Sequence, residues 1–127
     1  MRDGYYKCSI QGGYVLLEYS AQFPGDDLSA QHAAVAAVDM ALAVSGARAA
    51  LFDTRAILDT VSEASREICW KWAAQRRYHD RVALVATSQM IQIQANMTAR
   101  STRTIVRAFP SIELARDWLL SPMNEQR

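Results

Sequence analysis

The chain has 127 residues, half of them hydrophobic and 21% charged, which gives a single globular domain and excludes a disordered or low-complexity protein. Fourteen Lys and Arg against thirteen Asp and Glu leave a net charge of +1, so there is no electrostatic footprint for nucleic acid or an anionic membrane surface. Residues 1–5, Met-Arg-Asp-Gly-Tyr, hold no apolar core of a secretory signal. The richest apolar stretch, 33–44, is mostly alanine, carries Asp39 and is short for a membrane span. A cytoplasmic protein is expected. Cys8 and Cys69 fall in a predicted strand and a predicted helix. They are expected as buried, reduced thiols rather than a disulfide or a metal pair.

In chain order, Tyr5–Ile10 and Tyr14–Tyr19 alternate loosely between apolar and polar residues, with Gln11-Gly12-Gly13 between them. Two β-rich runs around a Gly-Gly turn predict an antiparallel hairpin. After a loop at 23–27, Asp27 or Ser29 can cap a helix running to about Val44. Its larger apolar residues, Leu28, Val35, Val38 and Leu42, share a face, and Gly46 suits a left-handed stop. Leu51–Arg55 reads as a buried strand ending in a polar loop. Thr60 and Glu63 have the spacing of a capping box for a second helix. That helix carries Val61, Ala64, Ile68, Cys69 and Trp72 on one face and is expected to end near Tyr78–Asp80. Val82–Ala86 is the next strand. A helical stretch over 88–98 places Met90, Ile93 and Met97 together, and 99–103 reads as a basic loop. Ile105–Phe109 is the last strand, and Pro110-Ser111 opens a final helix with Ile112, Leu114, Ala115, Trp118 and Leu119. Residues 121–127 are expected as a frayed tail. The order β-β-α-β-α-β-α-β-α predicts an α/β domain: a mixed five-stranded sheet, an N-terminal hairpin followed by parallel βα units, with about four helices.

With that order the chain resembles the STAS-like group, in particular the SpoIIAA-like (STAS/SEC14-type) bacterial proteins. The resemblance rests on Ala50-Leu51-Phe52-Asp53-Thr54-Arg55, a strand ending in Asp-x-Arg, and on residues 106–119, which look like the family's closing strand and helix. It spans nearly the whole chain and implies a non-catalytic regulatory or ligand-binding module without a cofactor. Anti-sigma-factor antagonists of the STAS class carry an Asp-Ser-Ser-Gly-like stretch whose serine is phosphorylated at a helix start. The matching Asp59-Thr60-Val61-Ser62 keeps the acid and a hydroxyl but lacks the glycine and the adjacent serine. Thr60 is the one weak candidate there, and no phosphorylation switch is expected.

Candidate site residues come from position. Asp53 and Arg55 end a central strand, and ligands of open α/β sheets bind outside the carboxyl ends of strands. Ser88 starts a helix at the end of the next strand, where backbone N–H groups can hold an anion. Met90 and its neighbours could line an apolar pocket. At 100° per residue Trp70 lies opposite Ile68 and Trp72, with Arg66 and Arg77. A large aromatic outside the core stripe suggests a ligand, a partner or a homodimer contact. His79 reads as a group near a helix C-terminus, and His32 has no partner for a metal. The rival reading is a small enzyme using Asp53, Arg55 and His79 in a strand-end cleft, although no strained nucleophile turn marks one.

Overall fold

The computed structural model describes residues 4–57 and 61–122. Its elements are β1 (Tyr6–Ile10), β2 (Val15–Tyr19), α1 (Leu28–Ser45), β3 (Ala49–Asp53), α2 (Glu63–Gln75), β4 (Arg81–Val85), α3 (Gln89–Thr102), β5 (Val106–Phe109) and α4 (Ile112–Leu120). The strands lie side by side in chain order. β1 is antiparallel to β2, and every later pair is parallel. The mixed sheet and four helices expected from the sequence are therefore present.

The hairpin closes because Gln11 N–H donates to the Tyr14 carbonyl at 2.8 Å and Gly13 N–H to the Gln11 carbonyl at 3.0 Å. Gly13 sits at φ +99°, and a Cβ there would meet Leu120 Cδ2 at 2.9 Å. The left-handed turn requires glycine, and a larger residue would also make the exposed Leu120 side chain move aside.

Each later connection steps to the next strand in the same direction. Right-handed crossovers of that kind put α1, α2 and α3 on one face of the sheet. Val15, Leu17, Phe52, Val82 and Val106 point to that side and form one core with the buried residues of the three helices. The alternate residues Leu51, Ala83 and Val85 face α4, where Ala115, Trp118 and Leu119 cover them. With helices on both faces, all five residues of β3 are buried.

The capping chemistry explains the helix ends, including those the sequence misplaced. Asp27 accepts from the Ser29 and Ala30 N–H groups, and Gly46 closes α1 at φ 77°. α1 is 18 residues long and apolar enough for a span by length and composition, but here it lies on β1, β2 and β3. Leu28 is exposed, and Ala30 and Ala34 join Val35, Val38 and Leu42 in the core. Small residues let this helix approach the sheet closely. α2 is capped by Ser62, whose Oγ accepts the Ser65 N–H at 3.2 Å. The expected Thr60 cap lies outside the described residues. α2 also stops three residues early, because Arg76 takes the left-handed conformation at φ 48°. α3 continues through most of the expected basic loop and ends on Arg103, also left-handed.

Candidate ligand cavity between α2 and α3

The cavity follows from how the three helices on one face divide the sheet. α2 packs mainly on α1 rather than on a strand. Two polar links fix it there. Gln31 of α1 donates to Ser65 Oγ at 3.1 Å, and Trp72 Nε1 donates to Asp39 at 2.8 Å. α3 packs on β5 through Ala95 and Ala99, and Asn96 Oδ1 accepts the Ala108 N–H at 2.9 Å. The space between α2 and α3 is filled by neither helix, and a cavity of about 130 Å³ remains.

Its floor is the sheet: Phe52 of β3, Val82 and Leu84 of β4, Val106 of β5. α2 supplies one wall with Arg66, Cys69, Trp70 and Ala73, spaced i, i+3, i+4, i+7, and Trp72 reaches in from the adjacent face. Ile91 of α3 lies opposite. Thr54, Ile57 and Val61 line the end toward the carboxyl ends of the strands, where open α/β sheets usually take their ligands.

Tyr19, Gln31 and Thr54 in this lining already have protein partners. Tyr19 Oη donates to Gln31 Oε1 at 2.7 Å and lies 3.8 Å from Cys69 Sγ. Thr54 Oγ1 donates to the Val85 carbonyl at 2.8 Å. Burial holds the Tyr19 hydroxyl well above its usual range, and burial pushes the Cys69 thiol up to about 11. Both are neutral near pH 7, so Cys69 is a packed thiol and not a nucleophile. Arg66, exposed at the rim, is the one charged residue of the lining among the described residues. Its Nη1 donates to the Val61 carbonyl at 2.8 Å.

The sequence-based candidates divide into those in the cavity and those elsewhere. Trp70 and Arg66 line it. The expectation that Trp70 stands outside the interior does not hold: it is half-buried and packs against the core. α2 lies beside a gap, so two of its faces touch the interior, one on α1 and one on the cavity. Arg77 is exposed beyond the end of the helix and shares no face with Trp70. Met90, Ile93 and Met97 are 66%, 52% and 63% exposed. Their expected role in the core or a pocket is taken by the smaller stripe of Ile91, Ala95 and Ala99. Ser88 caps α3, accepting the Ile91 N–H at 3.3 Å.

Asp53 and Arg55 pair with each other. Nε and Nη2 of Arg55 reach the carboxylate at 2.9 and 2.8 Å, and the Arg55 N–H also donates to Oδ1. Asp53 alternates with Phe52 and so points to the α4 face, away from the cavity. His79 is buried on the other face of the sheet. It stacks on Trp72 with centroids 4.2 Å apart, and its Nε2 lies 2.9 Å from the Ala73 carbonyl. The grouping of Asp53, Arg55 and His79 in one cleft does not form, because the sheet lies between them.

No protein-family model matches the chain, and no curated protein matches it either. A solved structure does. An uncharacterised protein of the DUF3478 family from Shewanella loihica PV-4, described as having a SpoIIAA-like fold, superposes with a TM-score of 0.62 at 16% identity. The match covers 90% of this chain and 91% of that one. The chain has a SpoIIAA-like fold. At this identity the likeness speaks for the fold alone. Within the SpoIIAA-like frame, the stretch matching the phosphorylated motif of the STAS antagonists begins at Asp59 and Thr60, outside the described residues. Its last hydroxyl, on Ser62, is engaged as the cap of α2.

Sequence reasoning missed Ile57, Leu84 and Ile91 as lining residues. Strand alternation would place Leu84 beside Val82. Nothing in the sequence marks Ile57, which lies in the loop after β3.

Proposed function

We propose that this protein is a non-catalytic regulatory module of the STAS-like type that binds a small apolar ligand between α2 and α3. The observation that carries the reading is the unfilled cavity itself, with an apolar floor and the Tyr19, Gln31 and Thr54 side chains already hydrogen-bonded to protein groups. An enclosed apolar cavity of about this size takes a ring such as benzene, and this one offers a similar volume behind a mouth through which a ligand can enter. Nothing in the lining supports chemistry. The thiol is neutral, the histidine is stacked beneath Trp72, and the Asp53–Arg55 pair faces the other side of the sheet. A catalytic role for that pair is tested by Asp53→Asn across a panel of hydrolase and transferase assays. Turnover abolished in a folded variant would restore the enzyme reading.

A ligand of about ten non-hydrogen atoms at roughly 0.5 kcal/mol each gives a Kd of a few tenths of a millimolar, within the efficiency of small ligands. Thermal shift with phenol, indole and toluene at millimolar concentration tests the reading. Each ring should raise Tm in the wild type and leave Leu84→Trp, which fills the cavity, unmoved. No rise with any of the three in the wild type would remove the proposal. Native mass spectrometry of protein from its own host then identifies any retained ligand.

A further inference from the structure

The cavity has an inside and a mouth of different chemistry. Inside, Tyr19, Gln31 and Thr54 direct their hydrogen bonds to other protein groups, and the lining offers no charged group there to hold a ligand's polar end. At the mouth stands Arg66. Its bond from Nη1 to the Val61 carbonyl anchors the guanidinium beside the opening, and its other N–H donors have no partner among the described residues. The acids that pair with cations elsewhere are committed to other partners: Asp53 to Arg55, Asp80 to Arg48 and Glu67 to Lys71. Among the described residues Arg66 has no carboxylate partner. Glu63 and Glu67 share its helix, and neither lines the cavity.

An apolar chamber with a single anchored guanidinium at its rim selects an amphipathic anion. We infer that the ligand is a monocarboxylate with a ring-sized apolar body, its body between Trp70 and Leu84 and its carboxylate on Arg66. A planar fork of N–H donors matches a carboxylate in two parallel bonds, which a lysine does not reproduce. This inference rests on the cavity being a ligand site and adds the chemistry of the ligand's head.

The experiment compares phenylacetate with its neutral isostere phenylacetamide by isothermal titration at low salt. The wild type should bind phenylacetate at least tenfold more tightly, and the ratio should shrink as salt screens the exposed contact. Arg66→Gln should bring the two affinities within about twofold by weakening phenylacetate alone. Arg66→Lys should keep part of the preference. Leu84→Trp should weaken both ligands tenfold or more. Circular dichroism confirms that each variant is folded, as expected for changes at an exposed and a half-buried position. Equal affinity of the wild type for both ligands would overturn the anion inference and leave the cavity reading standing. Failure of the wild type to bind either ligand would overturn both.

Discussion

Filling the cavity from the protein side should stabilise this fold, although enlarging a core side chain ordinarily does the reverse. Leu84→Trp is the perturbation. Leu84 is half-buried on β4 with its free side toward the space between α2 and α3, and a strand position accepts an aromatic residue. At about 24 cal/mol per Å³, a closed void of 130 Å³ would cost about 3 kcal/mol relative to a filled one. The mouth is open to water, so an indole occupying the inner part recovers about 1–2 kcal/mol. The same substitution in a close-packed core would cost about 1–3 kcal/mol through forced rotamers and backbone shifts. The two cases differ in sign. For a domain of this size 1 kcal/mol is worth about 3–5 °C. Differential scanning calorimetry should therefore show Tm raised by about 3–10 °C. A fall of several degrees would mean that α2 and α3 close over β4 and that the cavity is absent in solution.

Other outcomes follow from the same contacts. Burial lowers His79 from its ordinary 6.5, mainly by desolvation and against the pull of Asp39 and Asp80. The fold thus favours the neutral ring, and the unfolded chain binds the extra proton. Stability is full above about pH 6.5 and is lost as pH falls below it. His79→Phe, which keeps the stack on Trp72, should flatten Tm against pH down to the carboxylate range near pH 4, and an unchanged slope would refute the assignment. Arg81 donates to the Trp118, Leu119 and Ser121 carbonyls at 2.7–2.8 Å and lies over the Trp118 ring. Arg81→Met should cost about 2–4 kcal/mol in urea unfolding, three charge-assisted bonds less the desolvation that opposes them; a loss under 0.5 kcal/mol would show that α4 docks without it. Self-association through the half-covered Trp70 edge is a separate proposal, in which the wild type sediments as a dimer and Trp70→Ala as a folded monomer. A wild type that is monomeric at every concentration removes it.

The fold was legible because its signals agree. Buried five-residue runs end in polar loops, the caps of α1 and α4, Asp27 and Ser111, stand where the sequence places them, and α3 starts at Ser88 as expected. Helix faces were harder to read. The Met90, Ile93, Met97 periodicity is strong, yet a helix pressed close to β5 buries its small stripe, Ala95 and Ala99, and leaves its bulky one in water. Counting hydrophobicity favours the bulky residues, and close packing favours the small ones. Trp70 failed for a different reason. A cavity is a lack of packing between two helices, and the pattern of one helix does not report how far away the next one lies. Strand alternation also separates the two faces of β3. Asp53 shares a face with Leu51 and not with Phe52, which by itself separates the Asp53–Arg55 corner from the cavity floor.

The three tryptophans test the central claim with an internal control. Trp70 and Trp72 line the cavity, while Trp118 packs beneath α4 on the other face of the sheet. In a titration with phenylacetate followed by ¹H–¹⁵N NMR, the Trp70 and Trp72 indole N–H signals should move together along one saturable curve, and the Trp118 signal should stay in place. Indole signals of Trp70 and Trp72 that remain fixed while phenylacetate and neutral rings are added to saturation, or movement confined to Trp118, would contradict a ligand site between α2 and α3.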